Sequence, residues 1–135
     1  MKRTELLAVS LVTIALVAGG VYVLLARVPM DPCAGATGVT RTFAVVAGRN
    51  GFNDSASGPV LTVDRCDKVI ITYINSDNQP HGFAVDSYAT KGVALAGGQS
   101  QSISFTAYKM GQFRIFCNIF CTVHPLMQSG QLNVT

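Results

Sequence analysis

Beyond residue 40 the chain is cut into short β-prone runs by clusters of Gly, Pro, Asn, Asp and Ser, and this punctuation limits the fold more than any other feature. The runs 41–47, 60–64, 68–75, 82–85, 100–107, 112–117 and 131–134 are rich in Val, Ile, Thr, Phe and Tyr. Between them stand Gly48-Arg-Asn-Gly51, Asn53-Asp-Ser-Ala-Ser-Gly58, Ser76-Asp-Asn-Gln-Pro80 and Gly97-Gly98. No helical periodicity is sustained there, and strands divided by regularly spaced turns are the pattern of a sandwich. An all-β, Greek-key β-sandwich is therefore expected over residues 41–135.

The other end of the chain has a different composition. No charged residue stands between Leu6 and Ala26. A helix of about 21 residues rises about 31 Å, enough to cross a bilayer core. A secretory signal peptide is the competing reading, because Lys2 and Arg3 make a basic start. The run is longer than a usual signal core, and Arg27-Val-Pro-Met30 offers no small-x-small cleavage site, so an uncleaved transmembrane anchor over residues 1–28 is preferred. Lys2 and Arg3 before the run against Arg27 after it place the N-terminus in the cytoplasm and the remaining domain on the outer, periplasmic or extracellular, face. Residues 29–40, with two prolines and two glycines, read as a linker. From Pro29 onward seven Lys and Arg face six Asp, with no basic stripe, so nucleic-acid binding has no support.

Chemistry is concentrated near the C-terminus, in Gly111-Gln-Phe-Arg-Ile-Phe-Cys117-Asn-Ile-Phe-Cys121-Thr-Val-His124-Pro-Leu-Met127. Thiols, an imidazole and a thioether are soft donors that select copper over calcium or magnesium. The second of the chain's two histidines, His81, lies in Asn78-Gln-Pro-His81-Gly-Phe83, just after the apolar run 69–74. Two His, a Cys and a weak Met are the donors of blue-copper electron-transfer sites. Side chains alternate along a strand, so Phe113, Ile115 and Cys117 share one face, and a core-facing Phe113 puts Cys117 at the inner end of the sandwich. Taken singly each donor is weak evidence. A buried His or Met is commonly core, and a Cys-x-x-x-Cys pair can be a disulfide or half a zinc site. The conjunction on one all-β frame argues for a metal. Cys33 and Cys66 remain as a pair outside this loop. A bond between them would close about 32 residues and stabilise the fold by about 3–4 kcal/mol. Such a bond persists in oxidising compartments, in keeping with an outward domain. Two unpaired core cysteines are the alternative.

These stretches resemble the cupredoxins. Cys121-Thr-Val-His124-Pro-Leu-Met127 is similar to the ligand loop of amicyanin-type blue copper proteins. The longer stretch 111–121, with Pro80-His81-Gly-Phe-Ala-Val85, resembles the dinuclear CuA domain of cytochrome oxidase subunit II, nearest to the small b-type form with one N-terminal membrane helix. That resemblance implies Cys117 and Cys121 as thiolates bridging two coppers, with His81 and His124 as terminal imidazoles. Met127 and the backbone carbonyl of Ile119 would be the weak axial donors. The chain departs from the CuA pattern in having two residues, not three, between Cys121 and His124, in carrying Ile at 119, and in having no Trp. A mononuclear type 1 site is the alternative; it leaves Cys117 as a spare thiol open to oxidation, or as core filler.

Neither form leaves a position for substrate, so electron transfer is expected. Phe116, Phe120, Pro125 and Leu126 would form an apolar docking rim suited to transient encounters. The implied partners are a haem-copper oxidase subunit I with other membrane subunits, and an external donor such as cytochrome c or a small blue copper protein. A thiol oxidoreductase or copper-delivery protein would instead require a βαβ pattern, which is lacking. A structural subunit with a vestigial site would bind no copper. No Ser/His/Asp set, phosphate-cradling loop or carboxylate pair suggests independent catalysis.

Overall fold

The alternation of buried and exposed side chains turns the runs beyond residue 40 into a two-sheet sandwich. The computed structural model describes residues 11, 13–21 and 31–135. The chain divides into two units, 1–34 and 35–135. In the first, residues 11 and 13–21 are helical, and Leu11, Ile14, Leu16, Val17 and Val21 are exposed. The remainder of the expected membrane segment lies outside the described residues. Among the described residues no helix is long and apolar enough to cross a membrane.

The second unit contains β1 (Thr40–Gly48), β2 (Gly51–Phe52), β3 (Val60–Val63), β4 (Lys68–Asn75), β5 (His81–Val85), β6 (Ala89–Leu95), β7 (Ser100–Thr106), β8 (Gly111–Phe116) and β9 (Gly130–Val134), with a 3-10 helix over His124–Met127. One sheet has the order β2-β1-β4-β7 and the other β3-β9-β8-β5-β6. Both are mixed, because β1 runs parallel to β4 and β3 parallel to β9 while the other pairings are antiparallel.

Residue type explains the layers. In β4, Val69, Ile71 and Tyr73 point inward and are buried, while Ile70, Thr72 and Ile74 on the opposite face are half-buried. In β8, Phe113 and Ile115 are buried and Arg114 is exposed, so the expected alternation holds and carries Cys117 inward. Strand β5 is buried along its whole length, being flanked by β8 and β6. Beneath it Tyr73 stacks on Phe83, with centroids 5.1 Å apart, and Phe52 meets both rings edge-on.

Two strands were not expected. Strand β2 emerges from a segment whose Gly51 and Asn53 read as turn, and its two residues pair with Ala47 and Gly48. Strand β6, Ala-Thr-Lys-Gly-Val-Ala-Leu, has its lysine and glycine exposed or half-buried. It lies at a sheet edge with a partner on one side only, so burial imposes no strong alternation on its sequence.

Candidate metal centre

Antiparallel pairing of β5 with β8 brings the two halves of the site together. Ala84 pairs with Phe116 and Val85 with Ile115, so the start of β5, His81, lies at the same end as Cys117, which follows β8. The loop after Cys117 is folded back by its own backbone. The N–H of Cys117 donates to the Met127 carbonyl at 2.8 Å and that of His124 to the Cys121 carbonyl at 3.2 Å. Pro125 fits the first turn of the 3-10 helix, where a missing N–H costs nothing. The Gln128 amide donates to the Cys117 carbonyl at 3.1 Å.

Inside this loop the thiols of Cys117 and Cys121 are 3.7 Å apart. With His81 they form a buried group whose ligand atoms all lie within 4.8 Å of one another. Cys117 Sγ also accepts the Gly82 N–H at 3.2 Å and sits 3.1 Å from the Ile119 carbonyl. Gly82 is required by this approach: a Cβ there would stand 2.1 Å from Asn118 Oδ1 and 3.0 Å from the Asn118 nitrogen.

His81 is wholly buried. Its Nε2 is 3.0 Å from the Asp77 carboxylate, and its Nδ1 is buried without a hydrogen-bond partner. An orphaned imidazole nitrogen beside two thiols is a donor set that lacks its acceptor, and buried polar atoms otherwise find one. These donors fit copper: the thiols are soft, and the second imidazole nitrogen is held as ligating histidines usually are. Hydrogen bonding from His81, then from the Asn78 N–H, holds the Asp77 carboxyl below the usual carboxylate range. Burial first, and the neighbouring Cys117 thiol second, push the Cys121 thiol up to about 11. A bound cation reverses that preference by stabilising the thiolate.

His124 is half-buried and is not in the close group. Its Nδ1 lies 2.9 Å from the Ile119 carbonyl, so that oxygen stands between the imidazole and Cys117 Sγ. Met127 is wholly buried in the same loop. At the expected rim, Phe120 is 94% exposed and lies over the His124 ring with centroids 6.0 Å apart, and Pro125 and Leu126 are exposed. Phe116 is half-buried beneath the Arg114 guanidinium, 4.3 Å from the ring centre. Cys33 and Cys66 are disulfide-bonded, while Cys117 and Cys121 are free. Sequence reasoning missed Asp77 and Gln128. The available signal for Asp77 was an acid four residues before the upstream histidine, in a turn.

No protein-family profile and no curated protein matches the chain. Solved structures do. Copper nitrite reductase from Nitrosomonas europaea superposes with a TM-score of 0.64 at 20% identity, over 70% of this chain and 41% of that one. A laccase from Botrytis aclada superposes at 0.64 and 17% identity, over 73% and 23%. Auracyanin A, a blue copper protein from Chloroflexus aurantiacus, superposes at 0.56 and 18% identity, over 71% of this chain and 99% of that one. The chain spans less than half of the two multicopper oxidases and the nitrite reductase it matches. At these identities the likeness shows the fold, a cupredoxin-like β-sandwich of two mixed sheets.

Proposed function

We propose that this chain is a copper electron-transfer protein and, more specifically, the CuA-bearing subunit II of a haem-copper terminal oxidase. The observation that carries the reading is the buried His81–Cys117–Cys121 group, in which two thiols 3.7 Å apart face an imidazole with an orphaned nitrogen. His81, Cys117, Cys121, His124, Met127 and the Ile119 carbonyl would hold the metal, and copper so held supplies a one-electron couple.

The chain's own residues do the rest. The Gly82 N–H steadies the charge on Cys117 Sγ, which favours a thiolate over a thiol. The buried walls formed by Phe83, Ile115 and Met127 exclude water, and the hydrogen-bonded loop limits movement between oxidation states. Phe120, Pro125 and Leu126 present a small apolar surface beside His124 for a transient partner, an external donor such as cytochrome c or a small blue copper protein. The anchor expected over residues 1–28 would hold the domain on the outer face of the membrane, beside the haem-copper subunit I.

The test is copper stoichiometry and electron paramagnetic resonance on the full chain, purified in detergent and loaded with copper. Two coppers per chain with one unpaired electron split by both nuclei are expected. Cys117→Ser and Cys121→Ser should each abolish that signal. One copper with single-nucleus splitting would make the chain a membrane-tethered type 1 carrier, and absence of copper would overturn the reading altogether.

A further inference from the structure

The least expected feature of the site is a buried carboxylate. Asp77 is nearly as enclosed as the histidine it touches, and the chain holds it in place by several independent contacts. Its backbone N–H donates to Asn75 Oδ1 at 3.0 Å. The fully buried Asn75 in turn donates its amide to the Gln79 carbonyl at 2.8 Å and the Leu95 carbonyl at 2.9 Å. The turn after β6 presses on the same loop: a Cβ on Gly97 would stand 2.4 Å from the Asp77 carbonyl. The carboxylate itself accepts the Asn78 N–H at 2.7 Å through Oδ1, which also has the Arg49 guanidinium at 3.6 Å. Oδ2 is left for His81 Nε2 at 3.0 Å.

An ionised carboxylate can only accept, so the proton of a neutral His81 imidazole must reside on Nε2. Nδ1 then carries the lone pair, and Nδ1 is the atom buried without a partner next to the two thiols. The opposite tautomer would set a lone pair against a carboxylate oxygen and an N–H toward the thiol pair. Both contacts would be unfavourable in a site without water.

We propose that Asp77 is the positioning residue of this centre: it fixes His81 as the Nε2–H tautomer, with Nδ1 bare toward Cys117 and Cys121, and its charge lowers the reduction potential of copper held there. The second half rests on the copper reading above; the first does not. A carboxylate on the outer nitrogen raises the basicity of the inner one. A more basic donor favours the more highly charged, oxidised state. Arg49, 78% exposed in its side chain, offsets only part of the Asp77 charge, because solvent screens an exposed guanidinium.

Two measurements decide the matter, both on the full chain in detergent. Nitrogen NMR of the metal-free protein labelled in histidine should show wild-type His81 with its proton on Nε2, and Asp77→Ala should lose that preference. A wild-type proton on Nδ1, or an unchanged tautomer in the variant, would overturn the proposal. In copper-loaded protein, Asp77→Asn keeps the shape of the side chain and removes the charge, and its potential should rise. A tenfold greater loss of affinity for the oxidised than the reduced ion would appear as a rise of about 59 mV for one electron. Asp77→Ala should weaken copper binding roughly 10–100-fold. A merely structural carboxylate would leave the Asp77→Asn potential at the wild-type value, and that result would also overturn the proposal. Should Asp77→Ala fail to fold, Asp77→Asn serves for both measurements. If the wild type takes up no copper, the copper reading falls while the NMR result still decides the role of Asp77 toward His81.

Discussion

Asn118 is held between two glycines. A Cβ on Gly82 would stand 2.1 Å from its Oδ1, and one on Gly92, at φ +59°, 2.6 Å from its Nδ2, while Nδ2 donates to the Lys91 carbonyl at 2.9 Å. This clamp sets the backbone immediately after Cys117 against the start of β5, and it makes the Gly82 N–H bond to Cys117 Sγ possible. Gly82→Ala forces the loop away from the strand. Overpacking of this kind costs about 1–3 kcal/mol, so chemical denaturation should show a loss of that size. Copper uptake should fall with it, because the two thiols are no longer held opposite His81. An unchanged midpoint with full uptake would show that the loop yields without strain.

At the scale of elements, the end of the sandwich away from the thiols is closed by one side chain. Tyr88, in the turn between β5 and β6, stacks on Phe105 of β7 with centroids 4.8 Å apart and meets Tyr108 and Phe113 edge-on. Its hydroxyl donates to the Lys109 carbonyl and accepts the Lys109 N–H at 3.1 Å. One residue thus joins both sheets to the turn that leads into β8. Tyr88→Phe removes the hydroxyl alone, and a loss of about 0.5–1.5 kcal/mol is expected from a hydrogen bond of this kind. Tyr88→Ala should cost about 3–5 kcal/mol through the cavity it leaves. Both losses are measurable by denaturation. Neither variant should alter the spectrum of a copper-loaded centre, since the plug and the metal loop stand at opposite ends of β8.

For the whole domain, acid stability turns on Asp67. Its buried carboxylate accepts the Arg41 guanidinium at 2.9 Å and the N–H groups of Val39 and Asp64 at 2.9 and 3.1 Å, tying the start of β1 to the turn between β3 and β4. The Arg41 hydrogen bond first, and the Val39 N–H second, hold its pKa below the usual 3.8. A carboxyl whose folded value lies below its unfolded one contributes stability that is complete above the unfolded value. That stability is lost as pH falls through the folded value. The melting temperature should therefore hold down to about pH 5 and decline below it. Asp67→Asn should lower the plateau and flatten that acid limb. A limb of unchanged steepness would assign the acid sensitivity to other groups.

The order of donors along the chain, the β-class of the domain and the inward direction of Cys117 were legible in the sequence. Each follows from local rules: turn residues end strands, alternate side chains share a face, and soft donors gather where a soft metal binds. Edge strand β6 escaped because an edge meets one partner and tolerates an unpatterned sequence. Sequence order likewise could not tell that His81, Cys117 and Cys121 draw together while His124 turns to the Ile119 carbonyl. It also left Asp77 among the surface charges. Those outcomes depend on the pairing of β5 with β8, on Gly82 and Gly97 admitting close backbone approach, and on the burial that makes an unpartnered Nδ1 costly. They are properties of groups distant in the chain and adjacent in space, which tertiary structure alone decides.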